Sequence, residues 1–415
     1  MVLSAIERDL LAACRGERID LRSCNLTALL DLATAHGVWP LVVSNLMHGS
    51  DPSCDRASDQ RALSGFLEQL HAQALIHQRL TIEELNRVIE LLRPIETMVL
   101  KGPVFAQLYY PPGARVARDI DVAIRKPDYE LARNRLLQLG YRPIAGYDEK
   151  LQRRRARDMG FLRTDVDGLT WSVELHWRLA EIGATHLDEQ AIWDGADTLR
   201  LADTMWIRTP NLRDTLLLLA VSFRKHRFAR LKAVCDLARL LELKAGSIDW
   251  ELVHADAHRA GVCVALRHAL HLSESLLGAP PSPYPECLRS RGVQSRALRR
   301  LVGDEAVLAD GRPGSTYQQV AGILPFVSVD TIGTGFKLAA ARVSLSPELA
   351  SYHAGAPGAY RNRIQYLRDT GLRAYRALRL MTKSSPYPLS GQLRPDAERH
   401  TMEDVTGSEE AARPV

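Results

Sequence analysis

Cysteine is scarce and unpaired in this chain: the six cysteines, at positions 14, 24, 54, 235, 263 and 287, include no C-x-x-C spacing. Neither a zinc site nor a disulfide frame is expected from them. Long hydrophobic runs are also missing. The longest apolar stretch, Leu216 to Val221, falls far short of the roughly 18 residues needed to span a bilayer. No charged start followed by an apolar stretch of about 7 to 15 residues opens the chain. The expectation is a cytoplasmic protein with no membrane span. Charge of one sign does not dominate either, since 54 Lys and Arg against 49 Asp and Glu leave a net charge of +5. A mild basic excess spread along the chain suits phosphate-bearing small molecules. Basic clusters interleaved with aromatics, of the RNA-binding kind, are absent, so nucleic acid is not the favoured partner.

What is present is enough residues for two or three domains, because 415 residues exceed one core of ordinary size. Residues 1–95 read as a helical cap, with helices over Ser4–Ala13, Thr27–Ala35 and Arg61–Leu92 and a breaker-rich linker over Asp51–Ser58. From 96 to 209 the pattern changes to strand, helix, strand, and then to a helix that opens at Pro127 and stops at Gly140. The runs Met159–Asp165 and Leu169–Trp177 alternate in polarity and meet through Asp165-Val166-Asp167-Gly168, a strong hairpin signal. Thr198–Ile207 adds a strand or two. Residues 210–309 read as a helical C-terminal domain, 310–381 as a loop-rich segment followed by a basic amphipathic helix over Arg361–Met381, and 382–415 as a disordered tail.

Chemistry is concentrated in the middle of the chain. In Arg118-Asp119-Ile120-Asp121-Val122-Ala123-Ile124, Ile120, Val122 and Ile124 share one strand face and leave Asp119 and Asp121 on the other. In Trp171-Ser172-Val173-Glu174-Leu175-His176-Trp177 the apolar residues again alternate, placing Glu174 beside His176. If the two strands pair, three carboxylates converge, and a hard cation held by oxygen, Mg²⁺ or Mn²⁺, is what would keep them together. His176 reads equally as a base, a metal-orienting partner, a nucleotide contact or a locally bonded residue. Upstream, Thr97-Met98-Val99-Leu100 is a short strand that runs into Lys101-Gly102-Pro103 and a helix from Val104 to Tyr110. Gly102 permits a tight turn and Pro103 suits the first helical position. A helix start with a lysine beside it is a natural phosphate cradle.

The order strand, Gly-containing turn, helix, Asp-hydrophobic-Asp and a later acid resembles the nucleotidyltransferases of the DNA polymerase β superfamily. Leu100-Lys101-Gly102, Leu108-Tyr109-Tyr110, Arg115, Asp119-Ile120-Asp121-Val122, Leu139-Gly140-Tyr141 and Glu174-Leu175-His176-Trp177 are similar to a largely uncharacterised bacterial branch, whose members often sit beside natural-product or polysaccharide biosynthesis genes. The resemblance implies an α/β (α+β) nucleotidyltransferase core with a small mixed sheet, flanked by helical domains. It implies metal ligation and catalysis by Asp119, Asp121 and Glu174, and nucleotide contacts from Lys101, Gly102, Arg115, Arg118 and His176. His226 and Asp236 fall where the branch carries His and Asp, and either contact the nucleotide or fix two helices. The superfamily's usual Gly-Gly or Gly-Ser turn is replaced here by Lys101-Gly102-Pro103, so Lys101 would stand in for a serine hydroxyl.

The implied reaction is transfer of a nucleoside monophosphate from an NTP, ATP being the expected donor, to a hydroxyl of a small molecule or peptide. Two metals about 3.5 to 4 Å apart would clamp the attacking and leaving oxygens, and Glu174 could act as base. The basic run from Lys150 to Arg157 would lie near the triphosphate. Two other readings remain: a toxin-type RNA or protein nucleotidyltransferase, and a non-catalytic nucleotide-binding partner in a biosynthetic assembly. Crowded like charges also predict that Asp121→Asn leaves stability within about 1 kcal/mol.

Overall fold

Four helices precede the first strand, and their ends follow from local chemistry. The computed structural model describes residues 3–308, apart from 22, 50–56, 145–155, 181–184, 203–204 and 280–292, together with 324–331, 333–335, 337, 364, 365 and 368. Helix α1, Ala5–Arg15, opens on a capping box in which Ser4 and Glu7 bond each other's backbone N–H, and it closes on left-handed Gly16. Helix α2 spans Leu26–Ala35 behind an Asn25 cap. Helix α3, Trp39–Gly49, is one that periodicity did not pick out, and α4, Ala57–Leu92, is a single long rod.

The central elements are β1 (Thr97–Val99), α5 (Pro103–Tyr109), β2 (Ile120–Ile124), α6 (Tyr129–Gln138), β3 (Arg142–Pro143), β4 (Asp158–Thr164) and β5 (Thr170–His176). They form a five-stranded mixed sheet in the order β1-β2-β5-β4-β3. The expected hairpin is there: β4 and β5 run antiparallel with Met159 opposite Leu175 and Phe161 opposite Val173. Its turn is tied by Asp165, whose side chain accepts from the Asp167 and Leu169 N–H groups and from the Trp171 indole. Strands β2 and β5 are parallel, so the chain must cross over between them, and α6 with the β3–β4 excursion is that crossover. After a short helix α7 (Glu189–Asp194), strands β6 (Asp197–Leu201) and β7 (Met205–Thr209) make a separate two-stranded sheet. It abuts β1 through the Thr209 hydroxyl, which donates to the Val99 carbonyl at 2.8 Å.

The C-terminal helices are α8 (Leu212–Lys225), α9 (Leu231–Lys244), α10 (Trp250–Ala260), α11 (Cys263–Leu277), α12 (Val293–Leu301), α13 (Asp304–Leu308) and α14 (Leu324–Val327). One apolar cluster joins Leu10 and Leu11 of α1 and Val42 of α3 to Leu216 of α8, Leu237 of α9 and Leu266 of α11. A second joins Leu85, Val88 and Leu92 of α4 and Ala132 and Leu136 of α6 to Ile120, Val122, Phe161, Val173 and Leu175 of the sheet. The second cluster ends at Ile207 and the helices from Leu212 on belong to the first, while the helices before residue 95 contribute to both. Helices α1–α3 share their core with the C-terminal helices instead of forming a cap on the sheet, and α4 reaches both clusters. Asp330 caps α11 by accepting from the N–H groups of Cys263 and Val264, which docks part of the 310–381 segment onto the helical body.

With α4 and α6 covering one face of the sheet, the other face carries Met98, Ala123, Leu179, Ile192 and Trp193 together with the acidic residues of interest. Among the described residues, no helix is long and apolar enough to cross a membrane. Of the linker expected over 51–58, residues 57 and 58 belong to α4 and the rest lie outside the described residues, as do most of the basic run from 150, nearly all of the basic helix over 361–381 and the tail over 382–415.

Candidate active site

The parallel register of β2 and β5 sets the site, because Asp121 stands opposite Glu174 and Ala123 opposite His176. Side chains directly opposite each other share a face, so Asp121, Glu174 and His176 project together, away from α4 and α6. One donor atom from each lies within 4.8 Å of the others. His176 Nε2 is 3.0 Å from Asp121 Oδ1 and 3.5 Å from Glu174 Oε2. Asp121 and His176 are shut from solvent, and Glu174, with its side chain 31% exposed, is the edge that opens outward.

Asp119 stands differently from the sequence reading. It precedes β2 instead of lying within it, is half-buried, and is not among the three residues whose donor atoms meet. It remains close enough to interact electrostatically. Burial, then the Asp121 charge, raises the Asp119 pKa, while Lys101 opposes the shift. The imidazole of His176, not the Asp119 carboxylate, completes the tight group.

A fourth carboxylate, which strand alternation alone did not single out, lies on the same side. Asp158 opens β4 opposite His176, and its Oδ2 is 3.5 Å from His176 Nδ1, 3.1 Å from Lys225 Nζ and 2.9 Å from Arg157 Nε. The signal available in the sequence was its position at the hairpin's open end, directly across from a residue already marked. Between Asp158 and Phe161, Gly160 pairs with Glu174, and a Cβ there would meet the Ile144 side chain at 2.5 Å.

Cations border the acids. Lys101 Nζ sits 3.4 Å from Asp121 Oδ2. Burial works against the Lys101 ammonium, but the charges of Asp121, Asp119 and Glu174 outweigh it and raise its pKa. Asp121 is pulled well below the ordinary carboxylate range: burial resists, and Lys101 and the His176 hydrogen bond prevail. The His176 pKa is raised, since its bonds to Asp121 and Glu174 overcome desolvation. At the end of α8, the His226 pKa is pushed down to about 2 by burial and by Arg230, Lys225, Lys101 and Arg157. Its ring is therefore neutral. The turn after it holds Arg227 and Phe228 at φ 57° and 62°, a left-handed pair without glycine that costs of order 1–3 kcal/mol per residue. Phe228 is fully buried, 6.1 Å from the Phe223 ring, and that packing holds the turn that presents Lys225 and His226 to the acids.

The Lys101-Gly102 turn lies against β2. Gly102 has φ 66°, and a Cβ on it would come within 3.0 Å of the Asp119 carbonyl oxygen, so glycine is required twice over. Arg115 departs from its expected place at the phosphates. It is buried, forks onto Asp236 with bonds of 2.6 and 2.8 Å, and donates to the Gly102 carbonyl at 2.6 Å. These bonds take three of its five N–H groups and tie the turn to α9. Tyr110 also donates to Asp236, at 2.9 Å. Of the two helix residues left open, Asp236 is bonded to Arg115 and Tyr110, and His226 lies within electrostatic reach of Lys101 and Arg157. Arg118 is exposed beside Asp119. Of the basic run, Ala156 and Arg157 are described, and Arg157 is bound to Asp158.

These residues fit a divalent cation. Asp121 Oδ2 is buried with no hydrogen-bond donor among the described residues, and two carboxylates and an imidazole surround the same point. Comparison with known families gives a match to the family described as "Uncharacterised nucleotidyltransferase" over residues 23–278. No curated protein matches the chain.

Proposed function

The chain belongs to that uncharacterised nucleotidyltransferase family, and from this premise we propose that it moves a nucleoside monophosphate from an NTP, with ATP the expected donor, to a hydroxyl of a small molecule or peptide, releasing pyrophosphate. The observation that carries the reading is the opposition of Asp121 and Glu174 in parallel register beside the Lys101-Gly102 turn. A divalent ion, Mg²⁺ or Mn²⁺, held by Asp121 and Glu174 with Asp119 alongside, supplies charge neutralisation for the phosphates and acidifies the attacking hydroxyl.

The chain's own residues do the rest. Phosphoryl-type transfer asks a protein mainly for positioning and charge stabilisation. Lys101, held between the acids and the turn, supplies a mobile cation where the β- and γ-phosphates would leave. Gly102, free of a side chain, lets the triphosphate approach the turn, and Arg118 offers a second cation at the exposed rim. Glu174 is the acid that reaches solvent and so the one able to accept the acceptor hydroxyl's proton. His226, neutral and within reach of the Lys101 charge, offers a hydrogen bond without adding charge.

Pyrophosphate release from each NTP with Mg²⁺ or Mn²⁺, together with mass spectrometry for a nucleotide adduct on candidate acceptors, tests the reading. Glu174→Gln should lower the rate by about 10²- to 10⁴-fold, the usual contribution of a positioned base. Turnover unchanged in that variant would overturn the site assignment.

A further inference from the structure

We propose that the cation at this site is ligated by the His176 imidazole as well as by the Asp121 and Glu174 carboxylates, so that Mn²⁺ is preferred over Mg²⁺. The inference rests on the metal-dependent reading above and deepens it. The tight donor group is two oxygens and one nitrogen. Asp119, which would supply a third oxygen, stands before β2 and outside that group.

His176 is built as a ligand would be. It is 1% exposed, and its Nε2 faces the Asp121 and Glu174 carboxylates at 3.0 and 3.5 Å rather than water. Its other nitrogen, Nδ1, faces Asp158 Oδ2 at 3.5 Å. Nδ1 makes no hydrogen bond among the described residues, and the carboxylate beside it is placed to take its N–H once Nε2 turns its lone pair to a metal, the arrangement that orients ligating histidines. Asp158 is itself held by Lys225 at 3.1 Å and Arg157 at 2.9 Å, so it backs the ring instead of competing for the ion. On the other side of the group, Asp121 Oδ2 is buried without a hydrogen-bond donor among the described residues, with Lys101 Nζ 3.4 Å away. Mg²⁺ and Mn²⁺ both favour oxygen donors, but Mg²⁺ holds to water and an all-oxygen octahedron, whereas Mn²⁺, a first-row transition ion, takes an imidazole more readily. A mixed set of this kind therefore discriminates between them.

The test uses the full chain and Mn²⁺ as the probe, followed by electron paramagnetic resonance. Pulsed spectra of the bound ion should carry nitrogen modulation from one imidazole, and His176→Asn, checked for folding by circular dichroism, should lose it; His176→Gln serves if the first variant does not fold. Asp158→Asn should weaken Mn²⁺ binding by about 10- to 100-fold, the usual cost of losing such a backing carboxylate. An equal concentration of Mg²⁺ should leave the Mn²⁺ spectrum in place. Bound Mn²⁺ without nitrogen coupling, coupling retained without His176, or ready displacement by Mg²⁺ would each overturn the proposal while leaving metal-dependent transfer intact. Failure of both ions to bind would overturn both readings.

Discussion

Asp121 concentrates the competing effects at this site. Viewed along the sequence it is one of three repelling acids, and neutralising it should be nearly harmless. In the fold it is completely buried, with Lys101 at 3.4 Å and the His176 ring at 3.0 Å, and its pKa is driven well below normal. In the metal-free protein Asp121→Asn removes the buried counter-ion of half-buried Lys101 and the acceptor of the buried His176 ring, and breaking a buried pair costs about 3–5 kcal/mol. Urea unfolding should register a drop of that size, in place of the near-neutral change that repulsion alone predicts. The sign with pH follows: a depressed carboxylate contributes stability above its unfolded pKa of 3.8, and that contribution is lost as the solution is acidified. At Gly102 the strain is geometric. With φ 66° and the Asp119 carbonyl 3.0 Å from any added Cβ, Gly102→Ala should cost roughly 1–3 kcal/mol. It should also raise KM for the NTP more than it lowers kcat, which steady-state kinetics would show.

Among elements, the contact that matters most for the site is between α9 and the turn before α5. Arg115 bridges them, gripping Asp236 of α9 with both ends of its fork and the Gly102 carbonyl with its remaining nitrogen. Removing one partner strands the other charge in the interior at about 3–5 kcal/mol. Asp236→Asn and Arg115→Met should therefore each destabilise strongly, and the double variant should lose much less than their sum. A double-mutant cycle in urea measures that coupling, and additive losses would contradict it. The hairpin that delivers Glu174 was legible from Asp165, Gly168 and the alternation around them. The parallel pairing of β2 with β5 was not, because nothing in either strand specifies which neighbour it takes; the α6 crossover and the shared apolar face decide it.

At the scale of the whole molecule, the N-terminal and C-terminal helices share one core and the sheet joins them through α4 and α5. Within that core His268 is 3% exposed, edge-on to Phe228 at 4.9 Å. Burial, with His271 and Arg299 adding to it, lowers its pKa from 6.5 to about 3. The folded protein thus holds it neutral while the unfolded chain takes up a proton below pH 6.5. Stability should fall as pH drops from 6.5 toward 3, at about 1.4 kcal/mol per pH unit for one proton. His268→Phe should reduce that slope by one proton in denaturant titrations run across the range. An unchanged slope would mean the ring is already protonated in the fold.

Local grammar in the sequence was enough for most element types though not for α3, and for the Asp165–Gly168 turn, the Gly102 bend and the acidic strands, because alternation, caps and left-handed glycines act over a few residues. It also carried the family resemblance, whose residues are contiguous in short motifs. Only the tertiary structure decided that His176 joins Asp121 and Glu174 while Asp119 stands aside, that Asp158 and Lys225 border the site, and that Arg115 ties the Gly102 turn to Asp236. Each of those depends on which distant segments pack together, and burial energy summed over the whole chain, not any local pattern, makes that choice.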